Sequence, residues 1–295
     1  MTAVIRTVTT AEELRGLLDV ERAAGRSVGF VPTMGYLHDG HASLIRAAAA
    51  VTDVVVASVF VNPLQFAPTE DLAAYPRDLD GDLSVAAPAG CELVFVPSED
   101  EMYPDGRDGV LSTVSVPALA AVMEGASRPT HFPGVCTVVA KLFNLVGPCS
   151  AFFGEKDFQQ LAILRRMARD LSFPVDVVGC PTVREPDGLA LSRRNVYLTA
   201  EEREVAPVLQ RALRAGADAI VGGETDAGAV RASMAELIDA APLGELDYVE
   251  VADPDTLVPL VVAAPGARLF GAVRFGRARL IDNIAAGDGA GAGVA

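Results

Sequence analysis

The stretch 53–61, DVVVASVFV, limits the possible folds more than any other part of the chain. It is too short to span a membrane and too apolar and β-branched for a surface helix. It therefore predicts a strand covered on both faces, the situation of strands in parallel sheets. Such sheets need crossover helices, and the surrounding pattern supplies them. Residues 27–32 (SVGFVP), 91–97 (CELVFVP), 151–153 and 175–179 read as further strands, and 10–24, 41–50, 135–146 and 158–171 carry helical periodicity. Thr10 and Glu13 predict a capping box on the opening helix, and 114–123 reads as a short strand with a helical turn. The expected class is α/β, a Rossmann-like doubly wound parallel sheet.

From about residue 183 the alternation stops. Two long helices (200–221, 226–240) precede strands at 246–251, 268–275 and 278–281, which predicts a smaller C-terminal α+β lid domain. The expected division is 1–182, 183–284 and a disordered Gly/Ala tail at 285–295.

The chemistry concentrates where the strand at 27–32 stops, in Pro32-Thr33-Met34-Gly35-Tyr36-Leu37-His38-Asp39-Gly40-His41. The chain has 3 histidines, and two of them, His38 and His41, stand here. At helical spacing they share a face near a helix N-terminus, where backbone N–H groups and the macrodipole favour a phosphate. A net charge of −15 argues against a broad nucleic-acid surface, so any phosphate site is local. The lysines are Lys141 and Lys156 alone. Cys91, Cys136, Cys149 and Cys180 lack metal-ligand spacing and read as reduced core thiols. With no signal-type apolar segment and no run of about 18 apolar residues, a soluble cytoplasmic chain is expected, with no membrane partner.

Further candidates sit at strand ends, where open α/β sheets bind ligands. Asn62 and Gln65 follow the central strand. The acidic run 70–82 reads as solvated surface, with Mg²⁺ binding as the minority alternative. Arg128 and His131 occupy a loop before a helix. Gly154-Glu155-Lys156-Asp157 forms a second strand-to-helix turn, which favours phosphate contact by Lys156. In 181–198, Ser192, Arg193, Arg194 and Asn195 offer donors to a polyphosphate.

Taken together, PTMGYLHDGH, FVNPLQF, RPTHF, FFGEKDFQQ and TVREPDGLALSRRN resemble the motifs of the pantoate–β-alanine ligase (pantothenate synthetase) family. That family belongs to the HIGH-motif nucleotidyltransferases. DYVEVADPDTL and ARLIDNI add C-terminal echoes, so the resemblance spans nearly the whole chain. It implies an AMP-forming ligase making an amide bond: pantoate and Mg-ATP give pantoyl adenylate and pyrophosphate, and β-alanine then releases AMP.

By the same resemblance, Met34, Gly35, Tyr36, Leu37, His38, Asp39, Gly40 and His41 line the ATP site, with His41 as proton donor and His38 and Lys156 catalytic. Gly154, Glu155, Lys156, Asp157, Val183, Leu191, Ser192, Arg193 and Arg194 complete the nucleotide contacts. Gln65 and Gln160 bind pantoate, Gln65 also binds β-alanine, and Asn62, Arg128 and His131 are weaker candidates. No Mg²⁺ ligand is assigned, and a homodimer is implied. The chain departs from the family at 191–194, where Leu-Ser-Arg-Arg replaces Met-Ser-Ser-Arg and leaves the role of Arg193 open. A related nucleotidyltransferase with a phosphorylated acceptor, or a nucleotide-binding regulator without turnover, are the competing readings.

Overall fold

A computed structural model describes residues 5–66, 72 and 75–288 of the 295. They form two compact units, the first made of those within 1–154 and 159–181 and the second of 155–158 with 182–288. The residues Glu155–Phe158, expected with the first domain, thus fold with the second.

In the first unit the order is β1 (Arg6–Val8), α1 (Ala11–Ala23), β2 (Val28–Thr33), α2 (Asp39–Ala49), β3 (Val54–Val59), α3 (Leu79–Ala89), β4 (Leu93–Phe95), α4 (Glu99–Met102), α5 (Pro117–Ala120), α6 (Met123–Ser127), α7 (His131–Val146), β5 (Cys149–Gly154), α8 (Phe158–Asp170) and β6 (Val175–Cys180). The strands run parallel in the order β1-β4-β3-β2-β5-β6. β2 pairs with β3 from Val28↔Val54 to Thr33↔Val59 and with β5 at Phe30↔Ala151. From β2 the chain winds outward to β3 and β4, then returns across β2 to β5 and β6. The switch between β2 and β5 is where connecting loops part and leave a crevice at the carboxyl edge. Val54 to Ala57 of β3 are fully buried, as its apolar run requires.

Local differences from the sequence reading have identifiable causes. Thr10 Oγ1 accepts from the Glu13 N–H at 3.3 Å, but the Glu13 carboxylate takes Arg6 at 2.7 Å, so only half of the capping box forms. No strand forms at 110–116, because the Val114 N–H donates to Thr137 Oγ1 on α7 (3.0 Å) rather than to a sheet ladder. α3 was missed inside the acidic run; Asp78 caps it by accepting from the Gly81 N–H (2.9 Å). Cys91, Cys136 and Cys180 are buried, and Cys149 is half-buried. Burial pushes the thiols of Cys91, Cys136 and Cys149 up to about 12.

The second unit contains α9 (Ala200–Val205), α10 (Val208–Val221), α11 (Ala227–Asp239), β7 (Glu245–Ala252), β8 (Arg268–Phe275) and β9 (Ala278–Ala285). The strands form an antiparallel sheet β7-β8-β9, with Val249↔Gly271 and Ala272↔Ile281 in register. α10 and α11 pack on it through a core that includes Leu213, Met234, Val251, Leu269, Val273 and Phe275. The helix expected at 200–221 breaks at Pro207, which has no N–H to continue α9 and caps α10 instead. Of the expected tail, Ala285 closes β9 and Ala286–Asp288 form a turn; 289–295 lie outside the described residues.

Candidate active site

Two loops of the first unit meet at the carboxyl edge of the sheet, after β2 and β3. The first starts at Thr33, whose hydroxyl donates to Ser58 O (2.7 Å) and accepts the Gly35 N–H (3.1 Å). Gly35 (φ 83°) and Tyr36 (φ 56°) are then both left-handed. A Cβ on Gly35 would lie 2.9 Å from both Asp82 Oδ2 and Val59 Cγ1, so glycine is required by space as well as by φ.

The loop is held from α3 by Asp82, 2% exposed, which accepts the Leu37 N–H at 2.6 Å and a second backbone hydrogen bond from Tyr36. Two successive amides thus close on an internal carboxylate, as an anion-binding nest does on a phosphate. The reading of 70–82 as solvated surface fails at Asp82, and nothing local in the sequence signals it. Burial raises the Asp82 carboxyl above its ordinary range, against the lowering effect of the two amides, with Asp78 adding repulsion. The folded chain therefore binds this proton more tightly than the unfolded chain does. The group's contribution to stability is full below the ordinary carboxylate value and is lost as pH rises through the raised one. In urea titrations at several pH values, the stability of the wild type relative to Asp82→Asn is expected to fall across that window; a rise would refute the assignment.

His38 then caps α2. Its Nδ1 accepts from the Gly40 N–H (3.1 Å), while its own backbone N–H donates to His41 Nδ1 (3.3 Å), a reciprocal capping box made of two imidazoles. The helix therefore begins at Asp39, ahead of the expected His41. The rings lie 4.2 Å apart between centroids. An Nδ1 that accepts carries no hydrogen, so each neutral ring has its proton on Nε2. Both histidines are N–H donors at the positive end of a helix.

The loop after β3 carries Asn62 and Gln65, 1% and 8% exposed. Asn62 Oδ1 accepts from Tyr103 OH (2.8 Å) and the Leu64 N–H (3.3 Å), which leaves Nδ2 to donate to Gly134 O (3.1 Å) and Gln65 Oε1 (3.2 Å). The amide of Gln65 is thereby oriented, and its Nε2 points to Met34 Sδ at 2.7 Å. α7 holds the same loop: His131 Nδ1 donates to Gln65 O (3.1 Å), and at Gly134 a Cβ would come within 2.2 Å of Leu64 O. His131 is the first residue of α7 rather than part of a preceding loop. Arg128 ends α6, and its carbonyl accepts from the His131 N–H (3.0 Å). Lys141 donates to Met102 O and lies 5.5 Å from the Tyr103 ring centroid, so this lysine buttresses the loop from behind.

After β5, Gly154 is half-buried at the strand end, and Gln160 is half-buried in the first turn of α8. Its neighbour Gln159 is buried and saturated, accepting from the Glu124 N–H (3.1 Å) and donating to Leu119 O (2.9 Å) and Val122 O (2.8 Å).

The second unit gathers a different subset. A hairpin turning at Gly188 joins Val183 to Leu191 through the Leu191 N–H and Val183 O (2.9 Å). Ser192 follows, accepting from the Arg194 N–H (3.2 Å), and Arg194 Nη1 donates to Arg279 O (3.1 Å). Lys156, Ser192, Arg194, Asn195, Gln210 and Asp282 share the wall of one pocket. Lys156 Nζ is 3.2 Å from Asp157 Oδ1. Arg193, where the chain departs from the family pattern, opens the turn capped by Ser192. Among the described residues no three His, Cys, Asp or Glu side chains are grouped to hold a metal ion.

The family profile described as pantoate-beta-alanine ligase matches residues 6–285. The chain belongs to the pantoate–β-alanine ligase family. It is 52% identical over 275 residues to the pantothenate synthetase of Moorella thermoacetica, covering 93% of this chain and 96% of that one. The crystal structure of pantothenate synthetase from Thermus thermophilus superposes with a TM-score of 0.88 at 52% identity, covering 96% of this chain and 99% of the other. A pantoate–β-alanine ligase from Francisella tularensis, complexed with beta-gamma ATP and beta-alanine, superposes at 0.76 with 31% identity, covering 97% and 99% of the two chains. Pantoate–β-alanine ligases thus share both the parallel sheet and the small antiparallel one. Sequence reasoning missed Asp82, Tyr103 and Gly134, which hold the loops in shape and have no signature of their own.

Proposed function

We propose that this chain condenses (R)-pantoate with β-alanine to pantothenate at the expense of ATP, through pantoyl adenylate, releasing pyrophosphate and then AMP. The observation that carries the reading is the family match over residues 6–285. The local geometry supports it at the β2–α2 turn, where two Nε2–H donors stand at a helix N-terminus.

The pantoate carboxylate attacks the α-phosphorus of ATP, forming an acyl phosphate bond as the bond to pyrophosphate breaks. Negative charge grows on the phosphate oxygens, and donors already in place stabilise it more in the transition state than in the ground state. We assign this work to His38, to His41, also the proton donor, and to Lys156, with Ser192 and Arg194 on the remaining phosphates. Met34 to His41, Gly154 to Asp157, Val183, Leu191 and Arg193 complete the ATP contacts. Mg²⁺ enters as part of the substrate Mg-ATP.

Gln65 and Gln160 are assigned to pantoate. The hydrogen-bond chain from Tyr103 through Asn62 makes Gln65 present an NH₂, a donor suited to a hydroxyl or carboxylate oxygen. In the second step the amine of β-alanine, also held by Gln65, attacks the acyl carbon, and AMP leaves with the bonding pair. Arg128 is left with the anionic end of the substrates, and His131 with holding the Gln65 loop. The reading of a homodimer rests on the family resemblance, and that of a cytoplasmic location on four cysteines that read as reduced thiols. Sedimentation and cell fractionation test them.

The test is ATP–pyrophosphate exchange. Exchange that requires pantoate, with AMP as final product, is expected; exchange without pantoate, or ADP as product, would sink the proposal. Gln65→Ala is expected to raise the Michaelis constant for pantoate more than that for ATP, and equal effects on both would refute its assignment.

A further inference from the structure

The motif ARLIDNI carries two polar residues, Asp282 and Asn283, between Ile281 and Ile284 on β9. Asp282, Asn283 and Arg268, the last on the neighbouring strand β8, are 5%, 3% and 8% exposed. A buried guanidinium, carboxylate and amide are costly unless every polar atom is engaged. Their partners lie in one short segment. Arg268 Nε donates to Asn283 Oδ1 at 2.7 Å, which fixes the amide with its oxygen toward the arginine. Nδ2 therefore faces the other way, and it donates to Glu155 O (2.8 Å) and Lys156 O (2.9 Å).

Arg268 reinforces the grip, pairing with the Glu155 carboxylate at 2.9 Å and lying 3.6 Å from the centroid of the Phe158 ring. Asp282 holds Arg184 at 2.6 and 2.9 Å and accepts the Asn283 N–H (2.8 Å), so the strand that carries the amide is itself tied to the 183–191 hairpin. The segment 155–158 is thus held at two carbonyls, a carboxylate and a ring. Its second residue is Lys156, which lines a pocket together with Ser192 and Arg194.

We propose that Asn283, oriented by Arg268, is a positioning residue for Lys156: its amide pins the peptide groups on either side of that residue and so sets where the ammonium stands against the phosphates. The proposal rests on the reading of Lys156 as a phosphate-binding cation. A lysine side chain is long and flexible, so its useful placement depends on a fixed backbone root. General support of the sheet would instead slow catalysis only in proportion to lost folded enzyme.

The test is a double-mutant cycle read by pantoate-dependent pyrophosphate exchange. Asn283→Ala alone is expected to lower kcat about 10-fold or more, with the Michaelis constant for pantoate unchanged and faster amide hydrogen exchange in the 155–158 peptide. In a Lys156→Ala background the same change is expected to cost less than about 2-fold, since the group being positioned is gone. Arg268→Lys keeps a cation for Glu155 but loses the planar fork that orients Asn283; it is expected to behave as Asn283→Ala does and serves if that variant fails to fold. An additive loss in the Lys156→Ala background, or wild-type kcat in both variants, overturns the proposal while leaving the ligase reading intact. Wild-type exchange by Lys156→Ala overturns the role of Lys156 and this proposal with it.

Discussion

His41→Ala is expected to lower turnover by about 10²-fold or more, the usual effect of removing a proton donor or a transition-state hydrogen bond. The geometry separates this from a loss of fold. His41 has two jobs: its Nδ1 accepts the His38 N–H at 3.3 Å as half of the capping box, and its Nε2 carries the ring proton. Losing the cap alone costs about 1 kcal/mol in stability. His41→Gln divides the two, because glutamine is the ordinary residue at this position of a capping box and its carbonyl can accept the same N–H. His41→Gln is expected to recover the thermal midpoint lost in His41→Ala, while turnover stays low. Recovered turnover in His41→Gln, or unchanged turnover in His41→Ala, would reduce His41 to a cap.

Gly134→Ala is expected to act on pantoate from a position the ligand need not touch. A glycine-to-alanine change inside a helix ordinarily stabilises by about 1 kcal/mol. Here the new methyl would lie 2.2 Å from Leu64 O and 2.6 Å from Gln65 N, and the atoms it meets are backbone. The β3 loop must retreat from α7, stretching the contacts of Asn62 with Gly134 O and of His131 with Gln65 O. Displacements of about 1 Å in a positioning group cost up to about 10²-fold. The efficiency of pantoate use is expected to fall by about that factor, with a lowered thermal midpoint and little change in the Michaelis constant for ATP. Wild-type pantoate dependence in a folded Gly134→Ala enzyme would show that the loop position does not matter.

Both predictions concern contacts that differ in how far they can be read from the chain. The strand at 53–61, the turn at 32–41 and the β5–α8 turn are legible because each is declared by its own residues. A β-branched apolar run can only be buried, and a left-handed turn wants glycine. The His38–His41 capping box is legible in retrospect from the spacing of two imidazoles. The helix at 79–89 was not, because Asp78, Asp80 and Asp82 look alike in sequence although only Asp82 is buried against the β2–α2 turn. The strand expected at 114 failed for a related reason: a single side-chain acceptor, Thr137, took the hydrogen bond a ladder would have used.

By itself the sequence determined the parallel sheet, the change of architecture near residue 183, the family and the short motifs, since periodicity and turn chemistry act over a few neighbouring residues. Only the tertiary structure decided which buried polar groups meet: Asp82 with the Leu37 N–H, Tyr103 with Asn62, Arg184 with Asp282, and Asn283 with the carbonyls of Glu155 and Lys156. Those partners lie tens of residues apart. A buried donor must find an acceptor, but nothing in its own neighbourhood in the chain says which one.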